Sequence, residues 1–271
     1  MTVPDTEIYL SDLSPKDKPW DKHGKSRDRV REMYAQSPDP RHQRYAQRMG
    51  DCSQFLKYLL DNGEDGTQIF NLNYARFCCV PFCPACKWRK SLTWSCNFRR
   101  GLLKLLEVYP NHQFIFLTLT VRNCPMDELS ATVRHMDSSF RKLVKRKLWP
   151  SLGWAKALEV TLGKDGNPHP HFHILAMVKP SYFNGKNLIN QATWTQLWKE
   201  CAKLDYTPIV DVRKVKPKKG KEDQGIIAAV AETLKYSIKE SDLVANPDFL
   251  IGVTDQLHGV RAVNLGGCFL K

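Results

Sequence analysis

The segment His169-Pro170-His171-Phe172-His173 most narrows what this chain can form. A strand places residues i and i+2 on one face. His171 and His173 therefore point the same way, while Phe172 and Ile174 point into a core. Two imidazoles about 7 Å apart along a strand can converge on one cation when a neighbour supplies a third ligand. Residues 154–162 read as the preceding strand, and Gly163-Lys164-Asp165-Gly166-Asn167 as the slightly long turn of a hairpin. Glu159 then reaches the histidine face, with Leu158 and Val160 on the opposite one. A carboxylate between apolar neighbours needs a reason, because a lone buried carboxylate is costly. Two nitrogens and one oxygen suit Mn²⁺ or Mg²⁺ with open positions for phosphate, and Zn²⁺, Co²⁺ and Ni²⁺ also fit. The competing reading is a hairpin with solvent-facing histidines and a surface glutamate. Pro168 and Pro170 are expected to bend the chain, so His169 is read as orienting a ligand rather than being one.

Around this hairpin the pattern is regular. Residues 112–121 (HQFIFLTLTV) are dense in β-branched and aromatic side chains, a strand signature. A helix is expected over 126–149, with Asp127 and Glu128 at its positive end and Lys142, Lys145, Arg146 and Lys147 at its negative end. Another helix over 192–204 precedes a strand over 207–215. The order β-α-β-β-α-β is the split βαβ pattern of ferredoxin-like folds. The expectation is an α+β fold with an antiparallel sheet, helices on one face, and five strands once 261–265 is added. Helices are also expected over 92–108, 226–239 and 248–257. Residues 1–50 are polar and read as an arm without a core, with a helix at 26–36. The expected division is the arm 1–50, a cysteine-rich zinc-binding segment with connecting helix 51–100, and the catalytic domain 101–271.

The net charge of +13 favours a polyanionic partner, because cations placed near phosphates release condensed counterions. No apolar stretch is long enough for a membrane span, and the first residues lack the apolar core of a signal peptide. A cytoplasmic protein without a membrane partner is expected. Nine cysteines, odd in number and clustered, point to metal rather than to disulfides.

Glu232, Tyr236 and Lys239 are spaced i, i+4, i+7 and share one face of the expected helix. A phenol, a carboxylate and an ammonium there form a nucleophilic set. Lys239 would stabilise a phenolate or phosphate charge, and Glu232 would accept a proton. Taken alone, the same helix also reads as an ordinary amphipathic one with a surface Glu-Lys pair. Cys78, Cys83 and Cys86 have the spacing C-x4-C-x2-C, whose second half is a knuckle signal helped by Pro84.

These motifs together resemble the HUH endonucleases, and within them the single-tyrosine replication initiators of small rolling-circle plasmids. The matching segments are FLTLT (116–120), HPHFHIL (169–175) and ETLKYSIK (232–239), with FCCVPFCPACKWRK (77–90) and NLGG (264–267). The resemblance covers roughly residue 52 to the C-terminus. It implies that Tyr236 attacks a scissile phosphate at the origin, stays joined to the 5′ phosphate and releases a 3′-OH primer. It implies that the ion held by His171, His173 and Glu159 polarises that phosphate, and that Glu232 activates water when a round ends. It also places Cys52 as the fourth ligand of a structural Zn²⁺ with Cys78, Cys83 and Cys86. Cys79 is its rival, and the alternative to zinc is buried free cysteines, which is the reading for Cys96, Cys124, Cys201 and Cys268.

The implied partners are plasmid origin DNA, including a single-stranded or cruciform nick site, with a host helicase and polymerase. Arg89-Lys90, Arg99-Arg100, 141–147 and 214–221 are the basic groups for a phosphate track. Trp88, Trp94 and Trp154 are read as core residues before base-stacking ones. No G-x-x-x-x-G-K-[ST] loop is present, so neither a nucleotide cofactor nor helicase activity is expected. The rivals are an HUH transposase or relaxase and, in a different class, a non-catalytic zinc DNA-binding regulator.

Overall fold

A computed structural model describes residues 17–62, 68–215 and 238–270. The chain forms two compact units, Met1–Lys90 with Leu243–Ile251, and Ser91–Asp242 with Gly252–Lys271.

In the first unit, helix α1 (Lys18–Gln36) buries Trp20, His23, Arg27, Val30 and Tyr34. That alternating 3–4 spacing is a single helical stripe. Two of its five positions are His and Arg, so the apolar signal is weak in the sequence and the helix starts well before residue 26. Helix α2 (Pro40–Met49) follows, with Asp39 as N-cap accepting from the Arg41 amide at 2.7 Å. Val30, Tyr34 and Met49 are fully buried, so the expectation of a coreless arm does not hold for 18–49. Strands β1 (Leu56–Asn62) and β2 (Gln68–Ala75) pair antiparallel, which the sequence does not signal. No residue of β1 is buried, so no inward alternation marked it.

Helix α3 (Pro84–Val108) begins well before residue 92 and continues into the second unit. There the sheet contains β3 (Gln113–Thr120), β4 (Ser151–Leu162), β5 (Pro168–Val178), β6 (Val210–Lys214) and β7 (Val263–Gly267). Its order is β6-β3-β5-β4-β7, and every neighbouring pair is antiparallel. One face carries Leu117, Leu119, Leu158, Phe172 and Ile174, all buried. Helices α4 (Leu129–Leu143) and α5 (Gln191–Ala202) cover it with Phe140, Trp194 and Trp198. Burying each such side chain stabilises the fold by about 1.5–3 kcal/mol. Lys156 is also buried on this face, paired with Asp137 of α4 and 3.9 Å above the Phe172 ring.

Three expectations are corrected here. Helices do not lie on one face only: Leu102, Leu105 and Leu106 of α3 pack on the other face against Phe114, Leu175 and Met177. The helix expected over 126–149 ends at Leu143, so Lys145, Arg146 and Lys147 lie beyond it. The prolines do not bend the chain out of the strand. β5 begins at Pro168, and its pairing with β3 starts only at His171. Pro168 and Pro170 thus stand where β5 has a single neighbour, β4, and cost no bond to β3.

The sheet edge explains the motif at 264–267. A Cβ on Gly266 would come 2.3 Å from the Trp154 ring, and Gly267 has φ +62° against the Leu152 carbonyl. Helices α6 (Glu240–Ala245) and α7 (Pro247–Gln256) precede this edge, and the first was not anticipated. Of the helix expected over 226–239, residues 226–237 lie outside the described residues. Its end is corrected: Ile238 forms a parallel bridge with Val160, and Lys239 is not helical.

Candidate metal centres

Register creates the first cluster. Glu159 of β4 pairs directly with His171 of β5, and Thr118 of β3 pairs with His173. Paired residues share a face, so the three strands deliver Thr118, Glu159, His171 and His173 to one place. Glu159 Oε2 lies 2.9 Å from His171 Nε2 and 2.7 Å from His173 Nε2. All three side chains are largely buried.

The outer nitrogens are also occupied. His171 Nδ1 donates to the His169 carbonyl at 3.2 Å, since a carbonyl only accepts. His173 Nδ1 meets the Thr118 hydroxyl at 3.2 Å, and the His173 ring stacks on Phe116. Both Nε2 atoms thus crowd one carboxylate oxygen, as donors where the ring carries a proton there and as bare lone pairs where it does not. Only protons or a shared cation relieve that crowding. Cis ligands of an octahedral ion sit about 3 Å apart, so the donor set fits a divalent cation with little movement. Burial pushes the Glu159 carboxyl up, but hydrogen bonds from His171 and His173 outweigh it and hold it well below the ordinary range.

His169 stands apart from this triple. Its Nδ1 is 2.5 Å from Asn123 Oδ1, and its ring centre is 5.5 Å from that of His171. Burial, then the neighbouring His171, lowers its pKa. Asn123 also donates to Asp165 at 2.7 Å. Thr118 and Asn123 were not anticipated as site residues. Thr118 had a signal, since 116, 118 and 120 alternate onto the histidine face, whereas Asn123 sits in a loop with none.

The second cluster lies in the first unit. Cys52, Cys78, Cys83 and Cys86 bring their sulfurs together, with Cys52–Cys83 at 3.7 Å, Cys52–Cys86 at 3.5 Å and Cys78–Cys86 at 3.6 Å. Four thiolates about 2.3 Å from one zinc at tetrahedral corners lie about 3.8 Å apart, so the donor set fits. Hydrogen bonding with Cys52, then Cys78 and Cys83, pulls the Cys86 thiol far below its ordinary value. Cys83 is held up, first by its bond with Cys52. Cys86 sits in the first turn of α3, where a thiolate is favoured. Cys79 is exposed and outside the cluster. Cys124 and Cys201 are buried as expected, but Cys96 is exposed and Cys268 half-buried, so the buried reading fails for those two.

Tyr236 and Glu232 lie outside the described residues, as do 216–221 of the basic loop. Lys239 is exposed and lacks the helix that was to align it with them. Arg99, Arg100, Arg141, Lys142, Lys145, Arg146, Lys147 and Lys214 are exposed. Arg89 instead packs over the rings of Trp20 and Trp88. Trp154 packs edge-on against Phe140, whereas Trp94 is exposed rather than in a core. Among the described residues, no helix is long and apolar enough to cross a membrane.

Fold and site together define an α+β protein that carries a four-cysteine cluster and a histidine–glutamate cluster, each with donors for a metal ion. The sequence model of the replication protein family Rep_1 matches residues 69–271. A Rep protein of Lentilactobacillus hilgardii is 34% identical over 232 residues, covering 83% of this chain and 73% of its own length. One from Bacillus amyloliquefaciens is 37% identical over 252 residues (84% and 72%), and one from a Bacillus species 40% over 223 residues (76% and 69%). No solved structure matches the chain. The chain belongs to the Rep_1 replication proteins, the family of rolling-circle plasmid replication initiators that its motifs resemble. It is in general terms a plasmid replication initiator, which makes plasmid origin DNA its partner.

Proposed function

We propose that this chain is a metal-dependent, origin-specific DNA nickase and strand-joining enzyme of the HUH type. The observation that carries the reading is the convergence of Glu159, His171 and His173 through paired strands. The sheet order β6-β3-β5-β4 supports a ferredoxin-like nuclease domain over 101–271, with the zinc-binding segment at 51–100 and the arm at 1–50.

Tyr236 is the nucleophile. Its oxygen forms a bond to the scissile phosphorus, the bond from phosphorus to the 3′ oxygen breaks, and the phenolic proton is lost. The products are a 5′-phosphotyrosine and a free 3′-OH. Support comes from Ile238, two residues further on, which is bridged to Val160 beside Glu159. Mn²⁺ or Mg²⁺ bound by Glu159, His171 and His173 would supply Lewis-acid polarisation of the phosphate. Glu232 takes the proton from water or a hydroxyl when the round ends, and Lys239 balances phosphate charge from an exposed position. Cys52, Cys78, Cys83 and Cys86 hold a structural Zn²⁺. The substrate is a single-stranded or cruciform nick site in the cytoplasm, after which a host helicase and polymerase act.

The test uses supercoiled origin plasmid with Mn²⁺. Wild type is expected to nick it and form a covalent protein–DNA adduct, while Tyr236→Phe binds equally and does neither. Binding without nicking by either protein would support a non-catalytic regulator and end the nickase reading.

A further inference from the structure

Helices α1 and α2 reach the cysteine cluster in a way that the site itself does not require. Arg27 of α1 is buried, and its guanidinium donates to the Cys52 carbonyl and, at 3.0 Å, to Ser53 Oγ. Arg48 of α2 donates to the Cys78 carbonyl at 2.6 Å. Tyr34 of α1, fully buried, donates its hydroxyl to the Pro81 carbonyl at 3.1 Å. Apart from the Ser53 hydroxyl, each contact lands on the backbone of a cysteine or of the loop between two of them.

That backbone is strained. Ser53, Cys79 and Phe82 have φ of +55°, +53° and +60°, and none is glycine. They are the residues immediately after Cys52, after Cys78 and before Cys83. A non-glycine residue in this region costs of order 1–3 kcal/mol and persists only where its surroundings hold it. Guanidinium donors on the adjoining carbonyls are such a hold, and they are charge-assisted.

The geometry points to Arg27 and Arg48 as positioning residues that preset the cysteine loops for a metal ion. Residues 18–49 are then part of the metal module rather than an appendage to it. This rests on the reading of the four cysteines as a zinc site. Both arginines, with Tyr34 and Cys52, precede the segment that the family sequence model matches. The helices act from outside the ligand set. They fix the two carbonyls and so the peptide planes that leave Cys52 and Cys78, which holds the backbone carrying each sulfur and the left-handed residue after it. A divalent soft or borderline cation such as Zn²⁺ or Co²⁺ is the ligand class that four thiolates select.

The test titrates the whole chain with Co²⁺ as a spectroscopic stand-in and then displaces it with Zn²⁺ under chelator competition. Wild type is expected to take one Co²⁺ at the four cysteines, read by thiolate charge-transfer and tetrahedral ligand-field bands that the histidine–glutamate site cannot give. Arg48→Met is expected to weaken metal binding roughly 10–100-fold, the usual cost of losing a residue that orients a ligand. Its ligand-field bands should shift, its far-UV circular dichroism should not change, and Arg48→Lys, which keeps a donor, should recover most of the affinity. Arg27→Met should weaken binding further. Should it fail to fold, the test is carried by Arg48→Met on the exposed side of α2 and by Tyr34→Phe, which removes only the hydroxyl bonded to the Pro81 carbonyl. Thiolate-bound cobalt in wild type, with unchanged affinity and bands in Arg48→Met and Tyr34→Phe, would overturn the positioning role and leave the zinc site standing. A wild-type chain without thiolate-to-cobalt bands would overturn both.

Discussion

The cysteine cluster and the histidine–glutamate cluster present donors to a cation in opposite ways. The cysteines come from loops and a helix start, number four, and are of one soft type. Their support is directed at backbone: Arg27, Arg48 and Tyr34 donate to carbonyls. The histidines and Glu159 come from the middle of a sheet, number three, and mix nitrogen with oxygen. Their support is directed at side chains: Thr118 meets His173 Nδ1, and the His169 carbonyl meets His171 Nδ1. Four equivalent thiolates close a tetrahedron, leaving a bound ion no position for substrate. Three hard-to-borderline donors leave positions open. Loops that must hold an ion need the ion in return, whereas a sheet with its own core does not.

Four variants, the last read by acid titration, test this contrast. The largest effect is expected from His171→Ala. Loss of Lewis-acid help is worth several kcal/mol, so nicking of origin plasmid should fall on the order of 10³-fold. The melting temperature should barely change, because β5 keeps Phe172 and Ile174. A large loss of stability instead would show that this cluster is structural too.

Cys83→Ser should do the reverse. Stability should drop by on the order of several kcal/mol, read by denaturant unfolding, because a structural ion's binding energy is folding energy. A chain that unfolds as wild type does after this change would remove the distinction between the clusters. Thr118→Val should cost about tenfold in Mn²⁺ affinity, measured by calorimetry, with the fold intact. An unchanged affinity would mean that the sheet aims His173 without its hydroxyl partner.

The smallest effect is on acid stability. Hydrogen bonds from His171 and His173 hold Glu159 below its ordinary value of 4.5. A carboxylate depressed on folding stabilises the protein above that ordinary value, and the contribution fades as pH falls through the depressed one. The melting temperature of metal-free protein should therefore decline on acidification below about 4.5, and Glu159→Gln should flatten that slope. Equal slopes would mean that Glu159 does not sense the histidines.

Much of the histidine–glutamate face was legible because it depends on a local rule. Period-two alternation assigned Phe172 and Ile174 to the core and His171 and His173 to one face, and both apolar residues are buried. Adjacent runs with a turn between them implied the β4–β5 hairpin, and with it Glu159. The stripe of α1 was not legible, because burial there falls on His23 and Arg27 as well as on apolar residues. The end of α3's reach over the sheet was not legible either, since nothing in residues 92–108 says which face of which strand it will cover. The burial of Lys156 is hidden for the same reason: a lysine in a strand reads as solvent-facing until Asp137 and two aromatic rings are placed around it.

By itself the sequence determined the strands of the central sheet, their faces and the residue types that could meet. Those follow from the spacing of neighbours along one chain, which backbone geometry converts directly into direction. Only the tertiary structure decided the register that sets Glu159 opposite His171, the four-sulfur spacing, and the carbonyl contacts of Arg27 and Arg48. These join residues far apart in the chain. Their partners are chosen by packing and by the satisfaction of buried polar groups, quantities that exist only once the chain has closed on itself.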